Sequence, residues 1–222
     1  MPGESGKSQG GQWGETGWNR LFTSDFNGQI SWLVFAALAG LIVALAVAGW
    51  KNRTDIRRAC AIIFGGWLIV TWLIFSYMSG IFHAYYTVAI APAIAVLSAA
   101  GVALLWSERH TIWAPLTAAV TIMITAGWSF TLISQASGYA MIAYTVLITG
   151  GIAGIIFIAL GISNISELNL NLPLLRTISA LGAALALVSA LAGPIAWTAA
   201  TISTGHRGSI VSAGPQTSMG GG

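Results

Sequence analysis

Six stretches of about 18 to 24 residues run through this chain without one Asp, Glu, Lys or Arg, each long enough to cross a hydrocarbon core of roughly 30 Å. They cover approximately 31–50, 59–78, 87–106, 111–133, 140–163 and 177–200. A bilayer interior holds no water to hydrogen-bond an open main chain, so such runs span as helices. With 56% hydrophobic and 7% charged residues among 222, no single water-soluble core could hide so much apolar surface. The expected fold class is all-α, a polytopic membrane protein with about six transmembrane helices.

The nine Lys and Arg residues orient the bundle, because basic residues in short loops are retained on the cytoplasmic side. Lys51, Arg53, Arg57 and Arg58 crowd the first connection, Arg109 lies in the third and Arg176 in the fifth. Lys7, Arg20 and Arg207 fall on the opposite side, spread over two longer tails. Both termini and the 79–86 and 134–139 turns are thus expected outside. The 51–58, 107–110 and 164–176 loops are expected inside, in a bacterial plasma membrane. A net charge of +3 set by such loop residues does not call for a nucleic-acid partner.

Residues 1–17 are rich in Gly, Ser and Gln and read as a flexible extracytoplasmic segment. From Trp18 to Ile30, Leu21, Phe22, Phe26 and Ile30 interleave with Arg20, Ser24, Asp25 and Gln29, as in a short helix docked at the membrane surface. Residues 18–200 form one transmembrane bundle, because the connections are short enough to make successive helices antiparallel neighbours. The 164–176 connection, with its alternating polarity and Pro173, suits a segment lying along the inner surface. Residues 201–222 read as an extracytoplasmic Gly/Ser-rich tail of linker composition, as though the chain were part of a larger helical bundle.

Most short motifs have bland explanations. Gly6-Lys7-Ser8 lacks both the preceding strand and the upstream glycine of a phosphate-binding loop. The sequons at Asn52 and Asn164 fall in loops expected inside, and Cys60 is a lone packing residue. Gly150 and Gly154, and the Gly65-Gly66 pair, permit close helix approach within the bundle. Pro92 and Pro194 interrupt the third and sixth spans. The spans hold no charged residue of the kind that marks ion pathways, which disfavours an ion-coupled transporter. What remains is GIFHAYYTVAIAPAIAVL, residues 80–97, where His83, Tyr85 and Tyr86 stand at the threshold of the third span. They form either an aromatic belt or a donor-rich rim for a phosphate at headgroup level.

Trp18-x-Arg20-Leu21-Phe22, Gly28-Gln29-Ile30-x-Trp32-Leu33, Gly65-Gly66-Trp67-Leu68 and the run from Phe75 through His83-Ala84-Tyr85-Tyr86 to Pro92-Ala93 carry a resemblance. Over about residues 18–106 the chain resembles the later helices of bacterial family 39 glycosyltransferases, the aminoarabinose-transferase and protein-mannosyltransferase relatives of the C superfamily. The resemblance implies transfer of a sugar, mannose or another hexose, from a polyprenyl-phosphate donor at the outer face, with no cofactor. It also implies that His83, Tyr85 and Tyr86 lie near the lipid phosphate. Ala84 stands where relatives often have Pro between the His and the first Tyr.

The catalytic carboxylate of that family, in a first extracytoplasmic loop, has no match. Asp55, Glu108 and Glu167 are expected inside, Glu4 and Glu15 lie in the flexible segment, and Asp25 is isolated. Arg20 and Arg207 are external candidates to neutralise the departing phosphate. The expectation is a donor-lipid-binding part, inactive alone, whose missing N-terminal half supplies catalysis. The acceptor and the catalytic residue stay unassigned, and no metal site is expected. The alternative is a stand-alone six-helix transporter or accessory subunit whose 79–86 turn is an ordinary aromatic one. The orientation predicts that, with Cys60 replaced by Ser, a cysteine at Ser137 reacts with an impermeant maleimide added outside intact cells and one at Thr54 does not; the reverse pattern refutes it.

Overall fold

In a bilayer, lipid tails are as apolar as leucine, so helices associate through small residues that let their backbones approach. The computed structural model, which describes residues 15–24, 26–49, 54–163, 172–205 and 212–215, is built on that rule. Six helices are long and apolar enough to cross a membrane, and the described residues contain no strand. We label them α1 (Asn27–Ala48), α2 (Ile56–Tyr77), α3 (Ala84–Ser107), α4 (Trp113–Ile133), α5 (Ala140–Ser163) and α6 (Leu172–Ser203). Inward positions hold Ala37, Gly40 and Ala44 of α1, Ala61 and Gly65 of α2, Ala119 and Ala126 of α4, and Ala143, Gly150, Ala153 and Gly154 of α5. Ile62, Ile63, Ile69, Val70, Leu73 and Ile74 of α2 point outward, where a soluble protein would place polar groups. Intramembrane hydroxyls bond back to their own helix, as in Thr125 to the Thr121 carbonyl (2.8 Å) and Thr149 to that of Thr145 (2.7 Å).

The helices form two groups. In the first, α1 crosses α3 where Gly40 meets Leu97 and Gly101, so closely that a Cβ on Gly40 would fall on the Leu97 carbonyl. Gly65 of α2 packs against Leu41, whereas Gly66 faces open space, so only one member of the expected small patch is used. In the second group, Gly150 abuts Ala126 and Ser189, Gly154 abuts Met123, and the Ser189 hydroxyl donates to the Val146 carbonyl (2.8 Å). The G-x-x-x-G of the fifth span therefore packs within the chain, against both α4 and α6.

The groups join at one end of the bundle. Trp32 of α1 meets Trp197 of α6 edge to face, with centroids 5.0 Å apart. Trp128 of α4 donates its indole N–H to the Ser31 hydroxyl (3.0 Å), which donates on to the Asn27 carbonyl (2.7 Å). Phe22, from the segment before α1, fills the junction, with its ring 5.0 Å from Trp72 of α2 and 5.5 Å from Trp128.

Several details differ from expectation. Residues 18–24 form no surface helix: a 3-10 turn at Arg20–Phe22 carries Leu21 into the core, and Phe26 follows it there. Gly17, assigned to the flexible segment, donates to the Ser76 carbonyl (2.9 Å). The inner-surface connection is shorter than expected, because α6 already begins at Leu172 and Pro173 sits in its first turn, where a missing N–H costs nothing. Pro194 does lie inside α6. Pro92 lies at the start of the α-helical part of α3, after a 3-10 stretch at Ala84–Ile90. The linker-like tail returns to the bundle at Ala213 and Gly214. Ala213 exchanges two hydrogen bonds with the Gln29 side chain (3.0 and 2.7 Å), and Gly214 donates to the Thr201 hydroxyl (2.7 Å). The expected features at residues 1–14, Asp25, 50–53, 164–171, 206–211 and 216–222 lie outside the described residues.

Gly40→Val forces α1 and α3 apart and is expected to destabilise the bundle by about 3 kcal/mol. Gly66→Ala is expected to cost no more than about 0.5 kcal/mol. Unfolding in mixed micelles titrated with dodecyl sulfate measures both, and equal effects would contradict the crossing.

Candidate functional site

The last carbonyls of a helix have no intrahelical donor, and α2 ends with no basic residue in its final turn. Residues 15–24 supply the donors. The Gly17 N–H serves Ser76, and the Arg20 guanidinium reaches the carbonyls of Phe75 (3.3 Å) and Met78 (2.8 Å) through Nη1. The guanidinium lies 4.5 Å from the ring centre of Phe82 and 5.4 Å from that of Phe26. The negative end of the α2 dipole and two aromatic faces thus stabilise a cation that is only 1% exposed. Burial pushes the Arg20 pKa below its ordinary value, but an arginine does not lose its proton in a protein.

Phe82, which faces Arg20 on one side, carries the polar aromatics on the other. It packs against Phe26 (4.9 Å) and Phe75 (5.4 Å) and touches Tyr86 edge to face (6.0 Å). His83 stacks on Tyr85 with centroids 5.4 Å apart and planes 8° from parallel, and meets Tyr86 edge-on at 5.6 Å. Tyr85 and Tyr86 contact each other at 4.8 Å. Tyr85 is 46% exposed and Tyr86 36%, while Phe82, Thr87 and Ile90 are buried beneath them. The 3-10 winding produces this division, and the Thr87 hydroxyl bonds back to the Ala84 carbonyl (2.6 Å) at its first turn.

Three of the four residues expected at a lipid-phosphate site therefore form one cluster: His83, Tyr85 and Tyr86. The fourth, Arg20, stands behind Phe82 and caps α2. There its Nη1 is engaged by main-chain carbonyls and its guanidinium lies over the Phe82 ring. Among the described acids, Glu15 is exposed beside this end. Asp55 accepts from the Arg57 N–H (2.8 Å) at the start of α2, and Glu108 follows α3; both belong to the far end of the bundle. Arg109 is also at that far end, over the Trp106 ring (5.2 Å). No group of three or more His, Cys, Asp or Glu that could hold a metal occurs among the described residues. Sequence reasoning missed Trp67, whose indole N–H donates to the Ala89 carbonyl (3.0 Å) in the same 3-10 stretch as Tyr85 and Tyr86. The signal available was Pro92, which offers no N–H to that carbonyl.

Comparison with known proteins gives two relatives, both from Bacillus subtilis (strain 168). The chain is 29% identical over 214 residues to the protein named "Putative mannosyltransferase YycA", an alignment covering 91% of this chain and 28% of that protein. It is 29% identical over 201 residues to "Putative mannosyltransferase YkcB", covering 89% of this chain and 26% of that one. The similarity is mannosyltransferase-like. The chain spans about a quarter of the length of these relatives. No family model and no solved structure matches it.

Arg20→Ala removes a charged donor from two carbonyls and is expected to lower stability by about 3 kcal/mol. Arg20→Lys, lacking the planar fork, recovers part of that loss. Both follow from detergent unfolding; a neutral Arg20→Ala would mean that α2 needs no such cap.

Proposed function

We propose that this chain is the donor-lipid-binding part of a membrane glycosyltransferase that moves a mannosyl or related hexosyl group from a polyprenyl-phosphate carrier, at the outer face of a bacterial plasma membrane. The observation that carries this reading is the joining of His83, Tyr85 and Tyr86 in one half-exposed cluster, in a chain similar along nine-tenths of its length to proteins named as mannosyltransferases. The resemblance to family 39 belongs to the same proposal, and so does the outward orientation, which the unequal sharing of basic residues supports.

The chemistry suits the groups. A phosphate monoester leaving a sugar carbon gains negative charge as the carbon–oxygen bond breaks, and phenol and imidazole N–H or O–H donors stabilise that charge. Lying at the threshold of α3, the rim leaves the apolar outer faces of α2 and α3 free to accompany an isoprenoid tail. The acceptor hydroxyl must surrender a proton to a positioned base as its oxygen bonds to the sugar carbon. In this reading the base belongs to the part of the relatives' length that this chain does not match. Arg20 acts by fixing Phe82, and through it the rim, rather than by touching the phosphate.

In the full-length enzyme, Tyr85→Phe and His83→Ala are expected to lower transfer from a polyprenyl-phosphate-mannose donor roughly tenfold or more, the effect of losing one charge-assisted hydrogen bond. Membrane insertion should be unchanged. Full transfer by both variants would leave the 79–86 turn as an aromatic belt.

A further inference from the structure

A 3-10 run of seven residues is unusual, because the geometry of its hydrogen bonds is poor and such helices seldom exceed three or four residues. Ala84–Ile90 is such a run, and it carries Tyr85 and Tyr86. Pro92 explains why it winds this way. In a continuous α-helix the Pro92 ring would collide with the Val88 carbonyl, and Pro92 has no N–H for either Val88 or Ala89. Val88 is served by the Ala91 N–H. Ala89 is served from another helix, by the indole N–H of Trp67 on α2 (3.0 Å). Trp67 is 42% exposed on the outer face of the bundle and stacks only loosely on Phe64 (6.2 Å, planes 13° apart), so core packing does not account for its position.

The geometry points to Trp67 as a positioning residue. Its indole supplies the donor that Pro92 cannot, and the pair hold Ala84–Ile90 in the 3-10 winding that sets the direction of Tyr85 and Tyr86. The leverage is large. A 3-10 helix turns 120° per residue and an α-helix 100°, so rewinding the five residue steps from Ala91 back to Tyr86 would swing that phenol by about 100° around the axis. Such a swing would break its edge contact with Phe82 and separate it from His83. The rim therefore exists in one winding of the segment, and Trp67 favours that winding from 22 residues away in sequence. The consequence for ligand binding rests on the rim reading above; the winding itself does not.

The test uses the whole chain in lipid nanodiscs with Cys60 replaced by Ser and spin labels at Val88→Cys and Ser137→Cys, both at exposed positions. Trp67→Phe keeps the aromatic ring and removes the N–H. It is expected to shift the distance between the labels by on the order of 5 Å in a new population, since Val88 lies three residues before Ala91 and would turn by about 60°. One hydrogen bond lost corresponds to about a fivefold change in the ratio of the two populations. Pro92→Ala relieves the collision, supplies an N–H and is expected to produce the same shift. In that background Trp67→Phe should add nothing, a dependence that a packing role for Trp67 would not create. An unmoved distance in Trp67→Phe, or independent additive shifts from the two substitutions, overturns the inference. Transfer measured on the full-length enzyme separates the two readings: a shifted distance with unaltered transfer upholds the positioning by Trp67 and discards the rim as the donor site.

Discussion

The turn between α2 and α3 depends on main-chain carbonyls that its own helices leave without donors. α2 ends with open oxygens at Phe75, Ser76 and Met78, and α3 begins with one at Ala89 that Pro92 cannot serve. Open carbonyls are costly where water is scarce. Arg20, Gly17 and Trp67 answer them from other parts of the chain. Each donor also ties two elements together. Arg20 brings the N-terminal segment under Phe82, and Trp67 joins α2 to the start of α3. The His83, Tyr85 and Tyr86 cluster stands on the result.

The same economy shapes the rest of the bundle. Large apolar side chains face lipid, while glycine, alanine and serine mark where helices meet, and the tightest crossing is Gly40 against Leu97 and Gly101. Since lipid offers little incentive to bury leucine, stability rests on close backbone approach and on a few polar contacts, such as Trp128 to Ser31 and Ser189 to Val146. The first lies at the end of the bundle that carries the aromatic cluster, and the second joins α5 to the middle of α6. The far end holds Arg57, Arg58, Glu108, Arg109 and Arg176; there Asp55 caps α2, Arg109 lies over Trp106, and Gly161 of α5 packs against Leu116 of α4.

Much of the candidate site was legible because it is contiguous. His83, Tyr85 and Tyr86 lie within four residues, so they reach the same end of the bundle whatever the winding, although their mutual contacts belong to the 3-10 form. Arg20 is a candidate phosphate cation from its expected outer position alone, and nothing local announces that its partners lie 55 and 58 positions away. Trp67 was read as part of a family-like motif, without a role, because its acceptor lies on another helix. The tail was read as a linker from its composition, yet Ala213 and Gly214 are seated by Gln29 and Thr201, contacts made through main-chain groups that composition does not encode.

By itself the sequence determined the helix class, the six spans and the small-residue positions available for packing. A membrane makes spanning a local property, readable from the length of an uncharged run. Tertiary structure alone decided which glycines are used, that Gly40 and Gly101 meet while Gly66 faces outward, that Arg20 is a buried cap, and that α3 opens as a 3-10 helix. Each of these depends on groups far apart in the chain, and on which of them can supply a donor, or vacate a volume, at the point where two helices meet.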